Sequence, residues 1–389
     1  MTIQTAGDHS ASLATDRGGG NISVTNSTLN TSGSGSPLIY STGAIEVSGV
    51  TGTAEGSQIA GMEGLNHIKI YDSELSSTIT DKTASDPVAN GVIIYQSTSG
   101  DADTSTGERA QFQAVDSTLH SKIESGAMFY VTNTSADILL SGTTLDFDST
   151  KVKLLQIEGN DANNWGRAGA NGADVSFTGL GETLTGDISV DSISSLDLYL
   201  LDGTSYTGQI QSVANAGSTA DASAATITVN LDQDSTWVVT GDTTVFALNA
   251  EDGAQIVDED GKTVTIIADG TTVVKGDSDR TVTVTGSYSQ TVTTSDANEI
   301  SATTIDRSDF DSYYGTDTTF GIDGRSASTT AEDKADASAL ESPANTQLVP
   351  STEAAAETST EQSTAPWAVA GVIIIAALAG ITTYLRKRK

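Results

Sequence analysis

No cysteine occurs in the 389 residues, which excludes a disulfide-stapled scaffold and every thiolate metal site. Histidine is scarce as well. Three residues are a thin supply for imidazole catalysis, and His67 and His120 flank strand-like runs with no partner visible in the sequence. Positive charge is the third shortage: 18 Lys and Arg face 51 Asp and Glu, for a formal charge of −33. Such a chain repels phosphate backbones, so nucleic acid is excluded as a partner. Aromatic residues are only 5% of the chain. Helical periodicity is missing from the first 325 residues, where Gly, Asn and Asp punctuate every apolar run.

What is present is small and polar. Ser and Thr number 104, and Gly adds 38. They surround a repeat. It reads Ile22-Ser-Val24-Thr-Asn26-Ser-Thr-Leu29, then Ile68-Lys-Ile70-Tyr-Asp72-Ser-Glu-Leu75, Phe112-Gln-Ala114-Val-Asp116-Ser-Thr-Leu119 and Ile138-Leu-Leu140-Ser-Gly142-Thr-Thr-Leu145. Weaker copies start at Ile45 and Val175. The spacings are 23, 23, 44 (read as twice 22) and 26. A second run precedes several copies: Leu38-Ile-Tyr40, Val92-Ile-Ile-Tyr95, Met128-Phe-Tyr130 and Lys153-Leu-Leu-Gln156.

Two short strands joined by a corner, repeated every 22–26 residues, predict an all-β parallel β-helix. In such a solenoid no coil buries its own apolar face and stacking makes the core. Asn and Asp at the corners tolerate left-handed backbone. The predicted organisation is a β-helix over 1–225, N-terminally truncated, and a β-rich continuation or cap over 226–325. Threonine rows such as Thr281, Thr283 and Thr285 are not expected to persist from coil to coil.

Beyond residue 325 the character changes. Residues 326–366 are Ser, Thr, Ala and Glu with three prolines and no aromatic before Trp367, the composition of a disordered stalk that spans roughly 130 Å when stretched. Trp367 to Leu385 then holds 19 uncharged residues, including Ile373, Ile374 and Ile375. That is about 28 Å of helix, one hydrocarbon core. Trp367 and Tyr384 suit the two interfaces, and the tail over 386–389 (Arg386, Lys387, Arg388, Lys389) is wholly basic. The expectation is a single-pass anchor with the tail in the cytoplasm and the N-terminal body outside. No export signal is visible at the start, in keeping with a truncated N-terminus.

Two corners between the paired strands are long. Residues 97–110 carry Asp101, Asp103, Glu108 and Arg109, and residues 159–174 carry Asp161, Asn164, Trp165 and Arg167. Insertions in a solenoid collect on one face, often the binding face. Trp165 could stack on a sugar ring, and Arg109 and Arg167 could pair an acidic sugar. The alternative is that Trp165 packs under its own Gly-rich loop. The acid pairs Asp101/Asp103, Asp146/Asp148, Asp232/Asp234, Glu251/Asp252 and Asp258–Asp260 read mostly as turn acids; Ca²⁺ is the cation their oxygens suit. Trp237, before Val238 and Val239, reads as core or cap.

The strings Leu13-Ala-Thr-Asp-Arg17-Gly, Ser36-Pro-Leu-Ile-Tyr40-Ser-Thr42, Ile94-Tyr-Gln-Ser97, Phe129-Tyr-Val-Thr-Asn133-Thr and Asn164-Trp-Gly166 resemble adhesin-like right-handed parallel β-helix proteins of bacterial surfaces. The resemblance covers most of residues 1–325. It implies a right-handed, pectin-lyase-like β-helix and carbohydrate binding at a cell surface. The functional expectation is an anchored adhesin that binds a polysaccharide or surface glycoprotein without catalysis. A polysaccharide lyase or glycoside hydrolase is the second reading, and a structural spacer the third.

Overall fold

The computed structural model describes residues 1–17, 19–102 and 108–316. Asp103, the end of the 226–325 region, the stalk, the expected membrane span and the basic tail lie outside the described residues. Among the described residues no helix is long and apolar enough to cross a membrane.

The body is a β-solenoid of parallel sheets. Sheet A stacks Thr2–Thr5, Thr28–Thr31, Thr51–Ala54, Glu74–Ser77, Thr118–Ser121 and Thr144–Asp146. Sheet B stacks Leu13–Ala14, Ile39–Ser41, Ala60–Glu63, Asn90–Tyr95, Ala127–Thr132, Lys153–Glu158, Ile188–Asp191 and Ile210–Val213. Sheet C runs from Asn21–Thr25 through Ala44–Ser48, His67–Tyr71, Ala110–Val115, Ser135–Ser141, Asp174–Leu180, Ser195–Leu201, Thr226–Leu231 and Thr243–Ala250 to Thr281–Ser289. Sheet D (Thr183–Thr185, Ser205–Thr207, Thr236–Val238, Gln255–Val257) replaces sheet A in the later coils. Among the described residues every strand ladder is parallel except the hairpin of Thr265–Ala268 with Thr271–Val274 at the end of sheet C. The sheet C ladder passes residue 225 without a break.

Register explains the repeat. Ile22, Ile45, Ile68, Phe112, Ile138, Phe177, Leu198, Val229 and Leu248 are successive partners in one inward column. From Ile45 onward all are buried. Strands stacked ~4.8 Å apart place like side chains in contact, and Phe129 on sheet B meets Phe112 and Phe177 edge-on at 5.5 and 5.8 Å.

Two sequence expectations are corrected here. The 44-residue interval from Ile68 to Phe112 is one coil, since these residues pair directly. Its extra length falls in the connections on either side of Asn90–Tyr95, after Ser77 and before Ala110, rather than in a second coil. The copy placed at Val175 is out by two residues: Val175 pairs with Ala136, and Phe177 is the partner of Ile138. On sheet A threonine recurs at one register position, as Thr2, Thr28, Thr51, Thr118 and Thr144, with Glu74 between Thr51 and Thr118.

The corners after the first six sheet C strands share one backbone turn. Asn26, Gly49, Asp72, Asp116, Gly142 and Gly181 all have φ between 47° and 64°, the left-handed region that Gly, Asn and Asp enter at low cost. After Asn26, Asp72, Asp116 and Gly142 the next residue (Ser27, Ser73, Ser117 and Thr143) supplies a hydroxyl that satisfies backbone at the corner. Ser73 Oγ donates to the Tyr71 carbonyl (2.6 Å) and accepts from Val50 N (3.0 Å), while Ser117 Oγ accepts from Ser73 N (3.1 Å). This ladder keeps buried backbone groups paired from rung to rung.

Candidate functional site

The floor of the site is the outward column of sheet B. Ala14, Tyr40, Gly61, Ile93 and Tyr130 are successive partners. Small residues at Ala14 and Gly61 leave the surface low, and the large ones on either side rise from it. Four rungs, Ala14 to Ile93, span ~14 Å.

Three insertions enclose one end of this floor. Residues 78–89 connect sheet A to sheet B; residues 96–109 and 159–173 both connect sheet B to sheet C, so the two long corners do leave the same edge. The loops are bonded to one another. Thr98 Oγ1 donates to the Asn164 carbonyl (2.5 Å), and Asn163 Nδ2 donates to the Ser85 carbonyl (2.6 Å). Asn133, at a left-handed corner, grips the base of the third loop: it accepts from Asn160 N (2.8 Å) and donates to the Asn160 carbonyl (2.9 Å).

Beneath the loops lies a carboxylate held by hydroxyls. Glu63, only 2% exposed, accepts from Tyr40 (2.9 Å), Tyr95 (3.3 Å), Ser99 (3.0 Å) and Ser97. Burial raises both tyrosine hydroxyls above the ordinary range, so they stay protonated as donors. Tyr130 donates in the same way to Glu158 (2.8 Å). These bonds fix the aromatic rings and the start of the 96–109 loop.

Trp165 descends from the third loop onto Tyr95, with ring centroids 4.4 Å apart and planes at 19°. One indole face is therefore covered, and the half-buried remainder lines a groove of about 300 Å³. Tyr40, Gly61 and Ile93 form its floor, while Asp86 and Asp16 supply its acids. No Lys or Arg lines it. Burial pushes the Asp86 carboxyl up to about 6, against the opposing effects of the Asn90 amide, which donates to it at 2.9 Å, and of Lys82.

The residues expected from sequence are divided by this geometry. Trp165 lines the groove. Asn164 is exposed and ties two loops through its carbonyl. Asp161 and Arg167 are exposed on the third loop, where the Arg167 backbone N–H is held by Asn171 (2.7 Å). Asp101 reaches back to Arg17 (3.2 Å) on the first coil. Arg109 stands apart, on sheet C. Its guanidinium makes four hydrogen bonds, to Asp137 (2.6 Å), Asp174 (3.1 Å) and the carbonyls of Ala136 and Asp174. It thus clasps three rungs together.

Sequence reading missed Tyr40, Glu63, Asp86 and Tyr95. Counting residues from Ile68 to Phe112 as one coil would have exposed the 78–89 loop that carries Asp86. Among the described residues no group of three or more His, Asp or Glu converges as for a metal. The turn acids bind locally: Asp148 accepts from Thr150 (2.6 Å), and Asp258 accepts from the backbone of Asp260 and Lys262 (both 2.9 Å). His120 meets Asp146 at 2.5 Å, and His67 lies 3.9 Å from Glu108. Trp237 is fully buried and donates to the Gly208 carbonyl (3.0 Å).

Comparison with family models, curated proteins and solved structures returns no match.

Proposed function

We propose that this protein is a surface adhesin-like glycan-binding β-solenoid, and that an extended, neutral oligosaccharide lies along the sheet B groove without being turned over. The observation that carries the reading is the aromatic and carboxylate lining: Trp165, Tyr95 and Tyr40 beside Asp86 and Asp16, with His9 at the rim and no Lys or Arg. Sugar rings offer C–H faces to aromatic rings and hydroxyls to carboxylates, and a rigid aromatic platform costs little side-chain entropy on binding. An acidic sugar would meet two carboxylates with no Lys or Arg beside them, so the pairing expected of Arg109 and Arg167 gives way to a neutral ligand.

The same proposal includes right-handed coils, the rule for parallel strand crossovers, and the export of the body on a Ser/Thr/Glu stalk anchored by 367–385. A second reading, glycoside hydrolysis, is favoured by one observation: Asp86 is a groove carboxyl raised to about 6, as a general acid requires. Titrating the full chain with neutral and acidic oligosaccharides, while assaying reducing ends, separates the two. Binding of neutral chains without turnover, weakened at least ~10-fold (~1.4 kcal/mol) by Trp165→Ala, supports the adhesin. Released reducing ends that vanish in Asp86→Asn support the hydrolase, and indifference of binding to Trp165→Ala removes the groove from either account.

A further inference from the structure

The chain does not end at the last coil. After Ser289 it turns back and runs the length of sheet C toward the first coils, as a strap on the outer face. Asn298 Nδ2 donates to Thr178 Oγ1 (2.9 Å). Ser301 exchanges two hydrogen bonds with the Gln113 amide: Ser301 N donates to Oε1 (2.8 Å), and Nε2 donates to the Ser301 carbonyl (3.3 Å). Lys69 Nζ donates to the Thr303 carbonyl (2.6 Å) and to Ser301 Oγ (2.9 Å). Ile305 N donates to Glu46 (2.8 Å), and Arg307 donates to Ser23 Oγ (3.1 Å). Thr178, Gln113, Lys69, Glu46 and Ser23 belong to one outward column of the sheet. From Gln113 to Ser23 the strap advances two residues for each rung.

We propose that this column is a binding track for an extended peptide, and that its resident occupant, residues 298–307, exchanges with the same segment of a second copy of the chain. Four of the bonds address backbone N–H or C=O groups, which any extended segment presents. Selectivity for this segment comes from Ile300, packed on Tyr71, Val115, Leu139, Leu180 and Leu201, and from the Asn298 and Arg307 bonds. The strap is otherwise lightly held. Ile300 and Val292 are the partly buried apolar residues it packs on those clusters, and cavities of about 260 Å³ flank it beside Glu299–Ser301 and beside Thr303–Asp306. Few apolar contacts and loose packing mark a segment that opens below the global unfolding free energy. The connection over 293–297 is exposed, as a hinge for exchange requires. Glu46 and Lys69 are only 4% and 6% exposed beneath the strap, and an incoming strap offers them the same backbone partners.

The test uses the full chain and a fluorescent peptide of residues 292–309. Ile300→Asp loosens the resident strap, and the peptide should bind that chain ~10-fold or more tightly than wild type, where the tethered strap competes. Adding Gln113→Ala should abolish the gain. In the wild-type chain, hydrogen exchange at Ser301 and Ile305 should run ~100-fold faster than in Ala110–Val115, and slow when peptide is added to the Ile300→Asp chain. Strap amides as protected as the strand, no peptide binding to Ile300→Asp, or binding indifferent to Gln113→Ala would each overturn the proposal. The wild-type exchange measurement decides even if a variant fails to fold.

Discussion

Asp86 is the residue whose state most affects the groove. Its carboxyl is raised to about 6 because burial disfavours the charge. A carboxyl raised on folding stabilises fully below its unfolded pKa, near 4, and loses that contribution as pH climbs through 6. At neutral pH its ionisation therefore costs up to ~3 kcal/mol. Asp86→Asn should raise stability at pH 7–8 and leave it nearly unchanged at pH 4, as denaturant melts at the two pH values would show. At this scale the sequence was only partly legible. Trp165 was visible because it is one of three tryptophans and sits in a long corner. Tyr40 and Tyr95 looked like strand ends, since period-two alternation does not say which face a loop will cover. Arg109 looked available because its partners, Asp137 and Asp174, lie 28 and 65 residues away and meet it only when the coils stack.

At the scale of the element, the corners carry the information. Asn26, Asp72, Asp116 and Gly142 were readable as left-handed positions because so few residue types tolerate that backbone, and all four are left-handed. Gly142, at φ 59°, tests the point: Gly142→Val should cost ~1–2 kcal/mol in a urea melt, with Gly142→Asn nearer neutral. The strands themselves were legible by their inward residues. Loop lengths were not. A 44-residue interval divides evenly by 22, and composition alone does not distinguish a degenerate coil from two insertions when both are rich in Ser, Thr and Asp. The return strap escaped notice for a related reason: its bonds go through backbone groups and isolated polar side chains, which leave no periodic trace.

Over the whole molecule, stacking replaces the missing disulfides. Each coil is closed only by its neighbours, so damage to one rung spreads along the column. Phe129, fully buried between Phe112 and Phe177, is central to that column. Phe129→Ala should cost ~3–5 kcal/mol and broaden the melting transition as the halves uncouple, a change that calorimetry would register. The acidity that opened the sequence acquires a distribution as well. Several basic side chains of the body make local ties, Arg17 with Asp101, Arg109 with Asp137 and Asp174, and Lys69 with the strap. The groove keeps acids and aromatic rings without a Lys or Arg.

That distribution makes the neutral-glycan groove the central claim, and Gly61 gives the most direct test of it. A side chain there would point between Tyr40 and Ile93, with its Cβ at ordinary contact distances of 3.6 and 3.4 Å from them and 3.6 Å from Gln58, so the floor can be filled without disturbing the backbone. Glycan-array binding of the full wild-type chain should be compared with that of Gly61→Leu, with melting curves confirming equal stability. The account predicts that wild type retains neutral oligosaccharides and that Gly61→Leu loses them. Equal retention by the two proteins, or binding of acidic glycans alone, would contradict it.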